Sequence, residues 1–104
     1  MANFLFVYHD GRMPETPEEG QQVMAQWQAW LGGMGDSVVD MGAPLGLSVT
    51  VHPDGSVTDD GGANPASGYS VVKAESKEAA IGMAKGCPIK DAGGTVEVAE
   101  CMEM

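Results

Sequence analysis

The sequence predicts an α+β fold. Two observations carry this reading: strand, helix, strand, strand, helix and strand signals follow one another within about 100 residues, and both helices open on recognisable caps. Phe4 to Tyr8 (FLFVY) is aromatic and β-branched, apolar on both alternating sides, and stopped by His9-Asp10-Gly11. It reads as a central strand buried on two faces. Thr16-Pro17-Glu18-Glu19 then starts a helix, with Thr16 as N-cap, Pro17 at the first helical position and Glu19 placed to close a capping box. Val23, Trp27, Trp30, Leu31 and Met34 recur at helical spacing as an apolar stripe that would lie on a sheet, and Gly32, Gly33 and Gly35 end the helix. Tryptophans at this spacing are core side chains first, and Trp27 is also a candidate to line a ligand pocket.

Ser37 to Met41 reads either as a short strand or as an extended connection, broken by Gly42-Ala43-Pro44. The clear second strand is Leu47 to His52, with Leu47, Val49 and Val51 on one side and Ser48, Thr50 and His52 on the other. Pro53-Asp54-Gly55 is a turn, Ser56 to Thr58 returns as a short hairpin arm, and Asp59 to Ser67 is loop. Gly68 to Ala74 (GYSVVKA) is the third main strand. Ser76 caps a second helix in which Ala80, Ile81 and Ala84 pack inward, Gly86 stops it, and Pro88 seals the stop. Thr95 to Cys101 alternates as the fourth strand, with Val96 and Val98 on one face. This element order is the split β-α-β order of ferredoxin-like folds, βαββαβ, in which two helices cover one face of a four-stranded antiparallel sheet.

Composition narrows the function classes. A chain of 104 residues suits a single domain over residues 1–104, and 43% apolar with 19% charged residues is a folding composition despite 15 glycines. Fifteen acidic against five basic residues give a net charge of -10, which repels phosphate backbones and anionic lipid, so nucleic acid and membrane are poor partners. Met1 to Tyr8 is too short and lacks the basic residues of a signal peptide, and no apolar run approaches the roughly 18 residues of a membrane span. The expected location is cytoplasmic. Cys87 and Cys101 are too few and too distant for a zinc or redox pair and read as small buried hydrophobes. No spacing matches a metal site, a phosphate-cradling loop or a Gly-x-Ser-x-Gly elbow, so neither metal nor cofactor is expected.

Two helices on one face leave the other face open, beside a first strand that is apolar on both sides. Two copies packing open face to open face would cover it, so a homodimer is expected. The run Gly68 to Ala80 (GYSVVKAESKEAA), followed by Gly86-Cys87-Pro88 and Gly93 to Val98 (GGTVEV), resembles the YCII-related (DGPF-type) family. The first half agrees in outline, with a Trp-containing helix ending in glycine and a Gly-x-Pro-Leu segment at Gly42 to Leu45. The resemblance implies a ferredoxin-like subunit in a dimeric α+β barrel, a superfamily that includes small-molecule lactone isomerases and dehalogenases. The motif that names the branch is degenerate here, reading Asp60-Gly61-Gly62-Ala63. The first helix carries Met24 roughly where other branches carry an active histidine.

In this topology the ends of strands one and two and the starts of strands three and four share one sheet edge, which would gather His9, Asp10, His52, Tyr69 and Thr95. With one strand between them, His9 and His52 would stand about 10 Å apart at roughly 4.8 Å per strand, far for a shared metal but close enough to flank a small molecule. Thr50, His52, Thr95 and Glu97 would point to the open face. Histidine is the side chain suited to proton transfer near neutral pH, and Tyr69 could donate to a developing oxyanion. His9, His52 and Tyr69 are therefore the candidate catalytic residues, and Asp10, Trp27, Thr50 and Thr95 the candidate ligand contacts. Two functions follow: a homodimeric small-molecule-binding module, or a lyase or isomerase acting on a small organic acid or lactone.

Overall fold

Aromatic residues at alternate positions of the first strand meet the apolar stripe of the first helix, and the architecture grows from that contact. The computed structural model describes residues 1–103. It contains β1 (Ala2–His9), α1 (Pro17–Met34), β2 (Val38–Pro44), β3 (Thr50–Val51), β4 (Val57–Thr58), β5 (Ala66–Ala74), α2 (Lys77–Ala84) and β6 (Thr95–Glu100). Short 3-10 turns at Gly35–Ser37 and Pro88–Ala92 lead into β2 and β6. The main sheet is four-stranded, in the order β2-β5-β1-β6, with every neighbouring pair antiparallel. Two helices over a four-stranded antiparallel sheet form an α+β arrangement compatible with a ferredoxin-like fold.

The core lies between the sheet and the helices. Phe4, Phe6 and Tyr8 of β1, Val72 and Ala74 of β5, and Ala80 and Ala84 of α2 are buried together, with Trp27, Trp30, Met34 and Met83 packed against them. Trp30 stacks on Phe6 with ring centroids 6.1 Å apart, and Trp27 meets Tyr8 edge-on at 4.8 Å. Contacts of this kind add roughly 0.5–1.5 kcal/mol each to simple burial. The Trp30 indole N–H also donates to the carbonyl of Met83 at 3.0 Å, tying α1 to α2. Tyr8 donates to Ser70 Oγ at 2.8 Å and Ser70 donates to the Met41 carbonyl at 2.7 Å, a buried relay joining β1, β5 and β2. Burial pushes the Tyr8 phenol well above its ordinary value, against the opposing effect of the Ser70 hydrogen bond, so it stays a neutral donor.

Both N-caps form as the sequence predicts: Thr16 accepts from the Glu19 N–H and Ser76 from the Ala79 N–H, each at 3.1 Å. The return half of the capping box differs, because the Glu19 carboxylate accepts from the Glu15 N–H at 3.4 Å rather than from the cap residue. Gly32 and Gly33 lie inside α1, and only Gly35, at φ 56°, ends it. Ile81 is 38% exposed, not inward, since Ala80 and Ala84 already fill the narrow space over the sheet. Cys87 is buried but Cys101, just past the end of β6, is exposed.

The main correction concerns the second strand. Sheet position two is taken by Val38–Pro44, and the alternating Leu47–His52 segment contributes only Thr50–Val51 to a separate ladder with Val57–Thr58. Leu47, Val49 and Val51 therefore do not face the helices; they are exposed, Leu47 completely. β2 hides its strand character because its pairing with β5 is interrupted twice, between Val38 and Asp40 and between Asp40 and Ala43. At the second interruption Gly42 has φ 75°, and a Cβ there would stand 1.7 Å from the Tyr69 carbonyl oxygen, so only glycine lets the bulge close on β5.

Candidate functional site

Alternation along three adjacent strands composes the face turned away from the helices. Because Phe4, Phe6 and Tyr8 enter the core, Leu5, Val7 and His9 of β1 take the other side. Register adds Tyr69 opposite Val7 and Val71 opposite Leu5 on β5, and Thr95 opposite His9, Glu97 opposite Val7 and Ala99 opposite Leu5 on β6. Leu5, Val7, Tyr69 and Val71 are half-buried, so the centre of this face is an apolar patch. No helix of the described residues covers it.

At one end of the patch lies His9. Its side chain is only 7% exposed, although it sits at the end of a strand. The ladder between β1 and β5 shifts register between Tyr8 and His9, and Ser67, skipped by the pairing, donates its hydroxyl to the Tyr8 carbonyl at 3.0 Å. This bulge brings the segment before β5 over the imidazole. Nδ1 of His9 then lies 3.2 Å from the Pro65 carbonyl oxygen, and Nε2 lies 2.9 Å from Glu97 Oε1. A carbonyl and a carboxylate only accept, so both contacts are hydrogen bonds only when both ring nitrogens carry protons. The Glu97 hydrogen bond accordingly holds the His9 pKa above the ordinary histidine value, with the Pro65 carbonyl acting in the same sense and burial opposing it.

This arrangement has a chemical consequence. When both nitrogens are protonated, the ring has no free lone pair to abstract a proton and carries its positive charge beside an apolar surface. Its outer partner, Glu97, is 62% exposed, so that carboxylate can turn into water and leave Nε2–H facing another acceptor.

The predicted residues separate into two groups. His9 and Thr95 are paired neighbours, and Tyr69 lies on the same face, two residue pairs further along, opposite Val7. Asp10 is exposed at φ 61°, where it turns the chain out of β1, and the carboxylate that reaches His9 is Glu97 rather than Asp10. Thr50 belongs to the β3–β4 ladder and His52 follows directly after β3, away from the main sheet edge, which removes the basis for placing His52 across from His9. His52 Nε2 lies 3.2 Å from Thr58 Oγ1, and Thr50 donates to the Asp60 carbonyl at 2.6 Å. Trp27 packs on the helix side of the sheet, against Tyr8. Pro65 escaped sequence reading altogether, because a backbone carbonyl in a loop leaves no side-chain signal.

An apolar groove of about 410 Å³, lined by Gln28, Leu31, Gly32, Gly35, Val38 and Met41, shares no residue with the His9 cluster. Among the described residues no three His, Cys, Asp or Glu side chains converge to hold a metal ion, and no helix is long and apolar enough to cross a membrane. No family model matches the chain, and neither a search of curated proteins nor one of solved structures returns a match.

Proposed function

We propose that this chain is a YCII-related, homodimeric module that binds a small organic acid between two sheets, each subunit being a βαββαβ ferredoxin-like half of a dimeric α+β barrel. The observation that carries the reading is the uncovered sheet face, where the half-buried Leu5, Val7, Tyr69 and Val71 adjoin the His9–Glu97 pair. Apolar surface flanked by one oriented cation suits a ligand with a carboxylate and a short hydrocarbon body. The carboxylate would replace Glu97 at Nε2–H and keep the ion pair. Pairing through the face is favoured over pairing through the β2 edge, because the two irregularities of β2 and its terminal Pro44 spoil it as a template for another strand. The free thiols of Cys87 and Cys101 suit a reducing, cytoplasmic setting.

Binding is favoured over catalysis because both imidazole nitrogens of His9 face acceptors. The second reading, a lyase or isomerase acting on a small organic acid or lactone, rests on the same buried histidine and requires Glu97 to move aside before Nε2–H can serve as a general acid.

Two measurements test the proposal. Sedimentation at micromolar concentration should give a dimer for the native chain and a monomer for Val71→Asp, which puts a charge at the centre of the face; a monomeric native chain defeats the reading. A thermal-shift screen with short monocarboxylic acids and lactones should raise the melting temperature of the native chain and of His52→Ala, and leave His9→Ala unmoved. Equal shifts in all three proteins would place the ligand elsewhere.

A further inference from the structure

Two acceptors face His9, and a neutral imidazole carries only one N–H. Nδ1 lies 3.2 Å from the Pro65 carbonyl oxygen and Nε2 lies 2.9 Å from Glu97 Oε1, so loss of the second proton sets one ring nitrogen's lone pair against an acceptor. Which contact is given up depends on which acceptor can move.

The two acceptors differ in that respect. Glu97 is 62% exposed, and rotation about its side-chain bonds carries the carboxylate into water, which replaces the lost hydrogen bond. The Pro65 carbonyl belongs to the backbone and is held from both sides. Ser67 ties the segment to β1 through the Tyr8 carbonyl, at the register shift between Tyr8 and His9. Behind it, Gly61 fits so closely between Ser48 and Pro65 that an added Cβ would stand 2.7 Å from the Ser48 Cβ and 2.6 Å from the Pro65 Cβ. Among the described residues, the other groups around the ring bring no second ion pair to it. Ala66 pairs with His9 on β5 and Thr95 on β6, and the loop adds the Asn64 and Pro65 carbonyls. Tyr69 stands two pairs along, Asp10 is exposed on the turn, and Arg12 reaches toward Glu19.

We infer that His9 is a two-state ligand group whose states are set by the Pro65 carbonyl: the charged ring offers Nε2–H to the open sheet face, and the neutral ring keeps its proton on Nδ1 and offers the Nε2 lone pair there. Stranding the fixed acceptor would cost enough to favour the Nδ1–H form on the order of tenfold. An unconstrained histidine in water prefers the opposite form, with its proton on Nε2. The site thus matches a carboxylate below the His9 titration and a proton donor such as an alcohol or enol above it. The neutral ring is also the form that can act as a base: the ligand's bond to hydrogen breaks, its electron pair stays on the ligand, and the proton on Nε2 restores the imidazolium that Glu97 and Pro65 together stabilise. The tautomer is a property of the single chain, whereas its use on a ligand rests on the small-molecule site proposed above.

Nitrogen-15 NMR of the full chain without ligand reads the tautomer directly, and His52→Ala assigns the resonances because the chain has two histidines. Above the His9 titration the proton-bearing nitrogen should be Nδ1 and the bare nitrogen Nε2. A predominant Nε2–H form, or an even mixture, overturns the inference. Propionate serves as the anionic probe: its dissociation constant should rise at least about tenfold between a pH below the titration and one above it, and His9→Ala should show no such dependence. Equal propionate affinity on both sides of the titration overturns the two-state site. Propionate that binds at neither pH defeats the carboxylate site proposed above, and the ligand-free nitrogen resonances then decide the tautomer on their own.

Discussion

His9 is held by two acceptors, and the sign of its pH dependence follows from that. Its folded pKa lies above the ordinary histidine value because of Glu97, so the stability it contributes is fully present below about pH 6.5 and is lost as pH rises through the folded value. Glu97→Gln should therefore lower the His9 pKa in an NMR titration. It should destabilise the protein at about pH 6 by at most about 1 kcal/mol, since Glu97 is largely in water, and become neutral to stability at higher pH. A loss of equal size at pH 6 and pH 9 in urea unfolding would show that the pair acts by packing alone. Ser70 is a harsher test of a single side chain, because it both accepts from Tyr8 and donates to the Met41 carbonyl inside the core. Ser70→Ala should cost about 1–3 kcal/mol in urea unfolding by stranding both partners.

The same residue type behaves in opposite ways in a strand and in a helix. Gly42 sits at φ 75° against the Tyr69 carbonyl, so Gly42→Ala forces β2 off β5 and should cost more than about 2 kcal/mol. Gly33 lies within α1 with nothing within 4 Å of where a Cβ would be, and an interior helical glycine weakens a helix by about 1 kcal/mol relative to alanine. Gly33→Ala should thus stabilise the fold by roughly that amount. Urea midpoints of the two variants should move in opposite directions; a shared direction would mean that the β2 bulge or the open side of α1 is misread.

The whole molecule is thin and broad, 43 × 43 × 18 Å, with a Cα radius of gyration of 14.9 Å against about 13 Å for a chain of this size. One helix layer over one sheet gives the thin dimension, and the arm between β2 and β5 adds to the breadth. Such a shape leaves a large share of apolar surface outside the core, including five exposed leucine and valine side chains between Leu45 and Val57. Association would cover that surface but brings together two chains of net charge -10. If the proposed homodimer forms, raising ionic strength from about 0.05 to 0.5 M should tighten it in sedimentation, because screening shortens the range of the repulsion while leaving apolar burial in place. Weakening with salt would point instead to ion pairs across the interface.

The sequence by itself determined β1, α1, β5, α2 and β6, together with both N-caps, because each depends on chemistry within a few residues: alternation, the Trp27 and Trp30 stripe, and hydroxyl caps at Thr16 and Ser76. It also placed Thr95 and Glu97 on the face away from the helices. Only the tertiary structure chose Val38–Pro44 over Leu47–His52 for the second sheet position. Alternation favours the second segment, but pairing with β5 rewards the fit of Gly42 beneath the Tyr69 carbonyl and the Ser70 bond to Met41, contacts between segments roughly 30 residues apart. The candidate site divides in the same way. A histidine at the end of the first strand was legible, but its burial by the loop at Pro65 and its bond to Glu97, 88 residues away, are decided by register and by a bulge that no local pattern encodes.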